Sequence, residues 1–299
     1  MAPRTDLDEE VVAALSIALP RLEGVHVVRA QSLSRLTALR VGGPADLIVH
    51  VETPEALIAA ARLMKRVSCP WRVAWPFDPN LARDGGAAGA VVTVGSAFEG
   101  LTAGPEGSVV LGAATPFSAL AAAGPDFAQL ARWPGTPGGL LSSGLAERLA
   151  GPCAVVTSVT GVSIRRRTVA TTAAPPNPAR TTVPVSVQLR PIPPAAVRPM
   201  VPGQLLEPDT SLARVGGSVD EISHTMVEVG LSESRLRGWT VSKKWPGVVV
   251  QSGTGTTRDL ELFARGLAEK LHRERGLLTR MAPRTWGRPP KSTRSRSRK

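Results

Sequence analysis

The strongest constraint on this chain is a set of glycine-centred motifs in a fixed order. Leu36-Thr37-Ala38-Leu39-Arg40-Val41-Gly42-Gly43-Pro44-Ala45 comes first. Arg83-Asp84-Gly85-Gly86 follows and leads through Ala87 and Ala88 to Gly89, and Trp133-Pro134-Gly135-Thr136-Pro137-Gly138-Gly139 is third. Clusters of this kind mark backbone that must approach a neighbour closely or take up positive φ. Glycines such as Gly135, Gly138 and Gly139 can line a nucleotide or serve a tight turn. Between the first two motifs the chain reads Trp75-Pro76-Phe77-Asp78-Pro79-Asn80, and no glycine occurs from Val73 to Arg83.

With 299 residues and 42% hydrophobic content, the chain can bury a sizeable core in two or three domains. Aromatics make up only 4% and Tyr is absent, so the core rests on Ala, Val and Leu. No apolar run approaches the roughly 20 residues of a membrane span. Met1–Glu10 is acidic and no signal-like apolar stretch follows, which makes the cytoplasm the expected location. Cys69 and Cys153 are too few for a disulfide framework or a zinc site, and no metal is expected. Half of the net +12 charge sits in residues 287–299, which hold six cations and no acid. Residues 288–299 read as a disordered basic tail, either solubilising or an arm for RNA or anionic lipid.

The element pattern is α+β. Asp8–Leu19 has helical spacing, with Val11, Val12, Leu15 and Leu19 on one face, and His26–Val28 is a short strand. Leu47, Val49 and Val51 alternate as a second strand. Thr53 then caps a helix that opens on Pro54 and buries Leu57, Ala60, Ala61 and Met64. Gly89–Val94 and Ser108–Leu111 read as buried strands. From Cys153 to Arg190 the pattern is mostly strand, broken by Pro175, Pro176 and Pro178, and Val185, Val187 and Leu189 alternate. The proline run from Pro191 to Pro202 marks a domain boundary. Beyond it, Ser218–Glu221 opens a helix that Gly230 closes, and Val248–Val250 is a strand. Thr257 caps the best helix, whose stripe is Leu260, Phe263, Leu267 and Leu271, with Glu261/Arg265 and Glu269/Arg273 as i,i+4 pairs, ending at Gly276.

Taken in order, these segments resemble the MurB family, the UDP-N-acetylenolpyruvoylglucosamine reductases of peptidoglycan synthesis, from about Leu33 to Gly287. The resemblance rests on Leu36–Ala45, Arg83–Gly86, Gly112-Ala113-Ala114 and Pro134–Gly139. It continues in Gly230-Leu231 through Arg237-Gly238, in Val241–Lys244, and in Asp259. It implies an α+β fold: a two-part FAD-binding domain of the MurB/vanillyl-alcohol-oxidase (PCMH) type, then a smaller substrate domain. The implied division is 1–29 as an N-terminal helix and strand, 30–192 as the FAD-type domain, and 193–287 as the substrate domain. The family activity so implied is an oxidoreductase of cell-wall biogenesis. NADPH reduces FAD, the flavin passes a hydride to the enolpyruvyl double bond of the UDP-sugar, and a serine donates a proton. An arginine and a glutamate stabilise the enolate-like intermediate.

Carried onto this chain, the resemblance makes Arg40, Gly42, Gly43, Asn80, Gly135, Thr136, Gly138 and Gly139 candidate cofactor contacts. Arg180, in Ala179-Arg180-Thr181-Thr182, is the candidate catalytic cation, with an exposed loop arginine as the other reading. Lys243 and Lys244 are candidate contacts to a UDP diphosphate.

Three parts depart from the pattern. A flavin pyrophosphate is gripped by backbone N–H groups where side chains are absent. At Pro76–Asn80 two prolines lack an N–H, Phe77 blocks approach and Asp78 adds a like charge. Trp75 and Phe77 are expected to fill part of the slot instead. No Ser, Thr or Cys lies between Val197 and Asp209 to donate the proton, and Gln204 is no proton source. Glu207 is open to two readings, an acid or a solvated carboxylate. After Glu274 there is no acidic residue, so the enolate-stabilising glutamate expected near Ala282 is missing. Trp245 and Gly247 replace the family's usual histidine and asparagine. His26, His50, His224 and His272 are scattered and form no ligand set. Three functions therefore stay open: a reductase with altered FAD contacts, a pseudoenzyme acting as an FAD-free binding or regulatory scaffold in cell-wall synthesis, cell shape and division, or a nucleic-acid-associated protein that uses the basic tail alone.

Overall fold

The computed structural model describes residues 8–36, 41–76, 81–128, 130–132, 135–142, 154–173, 182–191, 206–207, 239–241, 249–251, 256–275, 282–283 and 285–287. Helix α1 (Glu9–Ala18) starts where the Asp8 carboxylate accepts from Glu10 N–H at 3.1 Å, and it buries Val12 and Leu15. Strand β1 (Val25–Arg29) pairs antiparallel with β2 (Ala45–Val51). In β2, Leu47, Val49 and Val51 enter the main core, while Ile48 serves a second one with Leu33, Ala82 and Val91.

Helix α2 (Pro54–Arg66) is the crossover that lets β2 and its parallel neighbours share a sheet. Thr53 Oγ1 accepts from Ala56 N–H at 3.1 Å, Pro54 occupies the first turn, and Leu57, Ala60, Ala61 and Met64 are buried. Strand β3 (Trp71–Val73) and the short β4 (Leu81–Ala82) follow, then β5 (Ala87–Val94). The first sheet has the order β1-β2-β5-β3, with β5 parallel to both β2 and β3.

A second sheet is wholly antiparallel. It contains β6 (Leu101–Ala103), β7 (Val109–Gly112), β8 (Ala154–Ser163), β9 (Thr168–Ala173) and β10 (Thr182–Pro191), in the order β6-β7-β10-β8-β9. Val187 and Leu189 of β10 meet Leu111, Phe117, Leu120 and Phe127 in a core of their own. Val162 and Val183 instead join the main core with Trp75 and Phe98, tying the two sheets together. Helix α3 (Pro137–Ser142) lies in the chain between β7 and β8.

Toward the C-terminus, β11 (Leu206–Glu207), β12 (Trp239–Val241), β13 (Val249–Gln251), helix α4 (Thr257–Arg275), β14 (Ala282–Pro283) and β15 (Thr285–Trp286) are placed. β12 pairs with β13, β11 with β14, and β15 runs parallel to β4. Residues 285–286 thus lie beside residues 81–82. Leu260 and Phe263 are buried as the stripe predicts.

The cap of α4 differs from expectation. Thr256, not Thr257, closes a reciprocal box with Asp259: Asp259 N–H donates to Thr256 Oγ1 at 3.1 Å, and Thr256 N–H to Asp259 Oδ2 at 3.2 Å. Thr257 is free of capping duty because its buried hydroxyl donates to Ala82 O at 2.7 Å. The helix expected over Ser218–Gly230, the side chains of Leu267 and Leu271, the proline runs and the basic tail lie outside the described residues.

Candidate functional site

The first and second glycine motifs pack on each other, backbone to backbone. A Cβ on Gly43 would stand 2.0 Å from Asp84 O, and one on Gly86, at φ +78°, 1.8 Å from Pro44 O. Gly43 N–H donates to Arg83 O at 3.0 Å, and Ala87 N–H to Pro44 O at 3.0 Å. Gly42, at φ +120°, sits against Ala82, whose Cβ a side chain there would meet at 2.6 Å. Gly287 closes the layer: its Cβ would lie 2.4 Å from Gly86 O. These glycines let three distant segments touch.

Asp84 has a role that its motif alone does not announce. Its carboxylate accepts from Thr257 N–H and Arg258 N–H, both at 3.1 Å, so it holds the open N-terminal amides of α4. The contact spans 173 residues of chain. No local spacing signals it.

The third motif, Gly135–Gly139, is spent in the same way. Gly138 N–H donates to Ala113 O at 2.8 Å and Gly139 N–H to Thr136 Oγ1 at 3.3 Å. Thr136 is fully buried, and its hydroxyl donates to Pro76 O at 3.2 Å. Gly135 O accepts from Phe117 N–H at 3.0 Å. Trp75, only 1% exposed, lies on this turn, and a Cβ on Gly138 would stand 2.3 Å from its indole ring. The turn's described donors therefore point into the protein, and an indole covers the glycine that would admit a ligand.

Among the described residues, three of the candidate glycine amides are not open to a flavin pyrophosphate. Such a group needs several N–H groups facing it across bare backbone. The amides of Gly43, Gly138 and Gly139 already serve protein oxygens. Of the candidate cofactor residues, Gly42 and Gly43 lie together at the Asp84 loop, and Gly135, Thr136, Gly138 and Gly139 lie together beneath Trp75. Arg40, Asn80, Arg180, Lys243 and Lys244 lie outside the described residues, as do Phe77, Gln204 and Cys153. Glu207 is in β11, opposite Ala282 of β14; its side chain lies outside the described residues.

Other chemistry in the described residues is modest. No group of three or more His, Cys, Asp or Glu could hold a metal ion there, and no helix is long and apolar enough to cross a membrane. His50 Nε2 lies 3.0 Å from Glu52 Oε1 and its Nδ1 2.9 Å from Thr93 Oγ1, with His26 stacked beside it. Cys69 is buried, and desolvation pushes its thiol up to about 11, against a hydrogen bond from Ala90 that lowers it. It is not a nucleophile near neutral pH. A groove of about 470 Å³ lined by Ser118, Ala121, Gly124, Pro125, Ala128 and Ala131 has no titratable side chain.

No protein-family model matches the chain. Among curated proteins it is 38% identical over 95 residues to the UDP-N-acetylenolpyruvoylglucosamine reductase of Anaeromyxobacter sp. (strain Fw109-5), covering 32% of this chain and 30% of that protein. To the same reductase of Myxococcus xanthus it is 33% identical over 142 residues, 44% of this chain and 45% of that protein. The chain thus spans less than half the length of the curated relatives it matches. In structure it is similar to UDP-N-acetylenolpyruvylglucosamine reductase (MurB) from Thermus caldophilus, with a TM-score of 0.57 and 18% identity over 88% of this chain and 98% of the other.

Sheets joined through one core, with glycine turns between them, place the molecule in the α+β flavin-domain fold class of that structure. Within that class the sequence matches, over less than half of the chain, support membership of the MurB family.

Proposed function

We propose that this chain acts at the enolpyruvyl reduction step of peptidoglycan precursor synthesis, as a MurB-type UDP-N-acetylenolpyruvoylglucosamine reductase. One observation carries the reading: reductases of that name match it at 33–38% identity. In this assignment Arg180 is the cation that steadies negative charge developing on the substrate, and Lys243 and Lys244 meet the diphosphate of the UDP-sugar. Residues 30–192 form the cofactor-type domain and 193–287 the substrate domain, with NADPH as reductant and the cytoplasm as the place of action.

The alternative to this reductase is a scaffold that has lost FAD and serves cell-wall synthesis by binding alone. Family membership does not fix activity, since function resides in the site and not in the fold. The two are separated by purifying the full chain without added cofactor. Its visible absorption is then recorded, and NADPH oxidation is followed with the enolpyruvyl UDP-sugar present. Flavin near stoichiometry with substrate-dependent turnover establishes the reductase. A colourless protein that binds the UDP-sugar without turnover establishes the scaffold.

A further inference from the structure

Helix α2 ends in Arg62, Lys65 and Arg66, which share one face at i, i+3 and i+4. The turn joining β8 to β9 brings Arg165 and Arg167 beside that face, with Ile164 between the two elements. These five cations and Ile164 line a single concavity of about 400 Å³. All five are exposed, and no carboxylate lies within ion-pair reach of them among the described residues. The turn is fixed by its own bonds: Arg167 N–H donates to Ser163 O at 2.7 Å, and Arg166 N–H to Ser163 Oγ at 3.3 Å. Arg167 sits at φ +60°, a conformation that favours glycine or asparagine over arginine.

We propose that this concavity is a binding site for a small ligand bearing two or more linked phosphates. Guanidinium forks from two elements can each clasp a phosphate edge-on, so several arginines converging on one hollow suit a compact polyanion. Its size matches a small-molecule site. An extended nucleic acid is disfavoured because no aromatic side chain lines the hollow to stack a base. A lipid surface is disfavoured because the cations line a concavity and not a flat face. The site uses none of the residues assigned to the reductase, so it stands or falls independently of that assignment.

The test is calorimetric titration of the full chain with inorganic pyrophosphate and tripolyphosphate at low salt. Three variants accompany it: Arg62→Glu/Arg66→Glu, Arg165→Glu/Arg167→Glu, and a chain with the six tail cations of residues 288–299 changed to Gln. The expected result is saturable binding that weakens about tenfold or more in each charge-reversed pair, survives the tail variant, and falls as salt rises. Binding unchanged by either pair overturns the proposal, as does binding lost only with the tail. It is also overturned if pyrophosphate fails to bind while single-stranded RNA, or vesicles rich in anionic lipid, bind through the same arginines.

Discussion

Trp75 is stacked on Gly138 so closely that a methyl group there would lie 2.3 Å from the indole. The pair joins the segment after β3 to the start of α3, and Thr136 bonding to Pro76 O fixes the same junction. Gly138→Ala is therefore expected to destabilise the fold by about 1–3 kcal/mol through overpacking. Trp75→Ala should cost about 3–5 kcal/mol by leaving a cavity. In the Trp75→Ala background the Gly138→Ala penalty should vanish. Urea denaturation of the four species measures that coupling, and additive costs would contradict the contact.

Asp84 should behave as a clasp on α4. Asp84→Ala leaves Thr257 N–H and Arg258 N–H without their carboxylate, at an expected cost of about 1–2 kcal/mol. Asp84→Asn, which keeps one acceptor oxygen, should lose less. Protease cleavage within residues 256–275 should rise in Asp84→Ala, and unchanged protection would contradict the assignment.

Gly86→Ala should be far more severe than either. It combines positive φ with a Cβ 1.8 Å from a carbonyl oxygen, and backbone cannot yield as a flexible side chain does. A loss above about 4 kcal/mol, seen as failure to accumulate folded protein, is expected.

Cys69 predicts a pH dependence. Because its folded thiol is raised from about 9 to about 11, the folded chain keeps a proton that the unfolded chain releases. The associated stability is complete below about pH 9 and is lost progressively as pH rises to about 11. The stability difference between the parent chain and Cys69→Ala should shrink over that window by up to about 3 kcal/mol. With Cys153→Ser as background, thiol reagents at pH 8 should modify Cys69 only after denaturation.

The elements that sequence made legible are those whose signals are local. Thr53 and Pro54 announce α2, and its buried face follows from helical spacing. The alternation of Val187 and Leu189 announces β10. Leu260 and Phe263 reveal the buried side of α4, but Thr256 displaces Thr257 as its cap, because Ala82 competes for the Thr257 hydroxyl. Whether the Pro76–Asn80 segment could hold a pyrophosphate turns on residues 77–80, which lie outside the described residues. The sequence suggests that Trp75 and Phe77 fill part of the cofactor slot; Phe77 lies outside the described residues, and the structure buries Trp75 against Gly138. That pairing, like Asp84 with α4, depends on residues far apart in the chain and leaves no periodic trace.

The backbone contacts of Gly43, Gly86 and Gly287 have a consequence for how such sequences are compared. Each position is held by crowding, and Gly86 and Gly287 by positive φ as well, so a lineage could abandon catalysis and still be unable to replace these residues. Their persistence then measures architectural necessity. A census that counts such motifs as proof of an enzyme would keep counting this molecule whether or not it turns over a substrate.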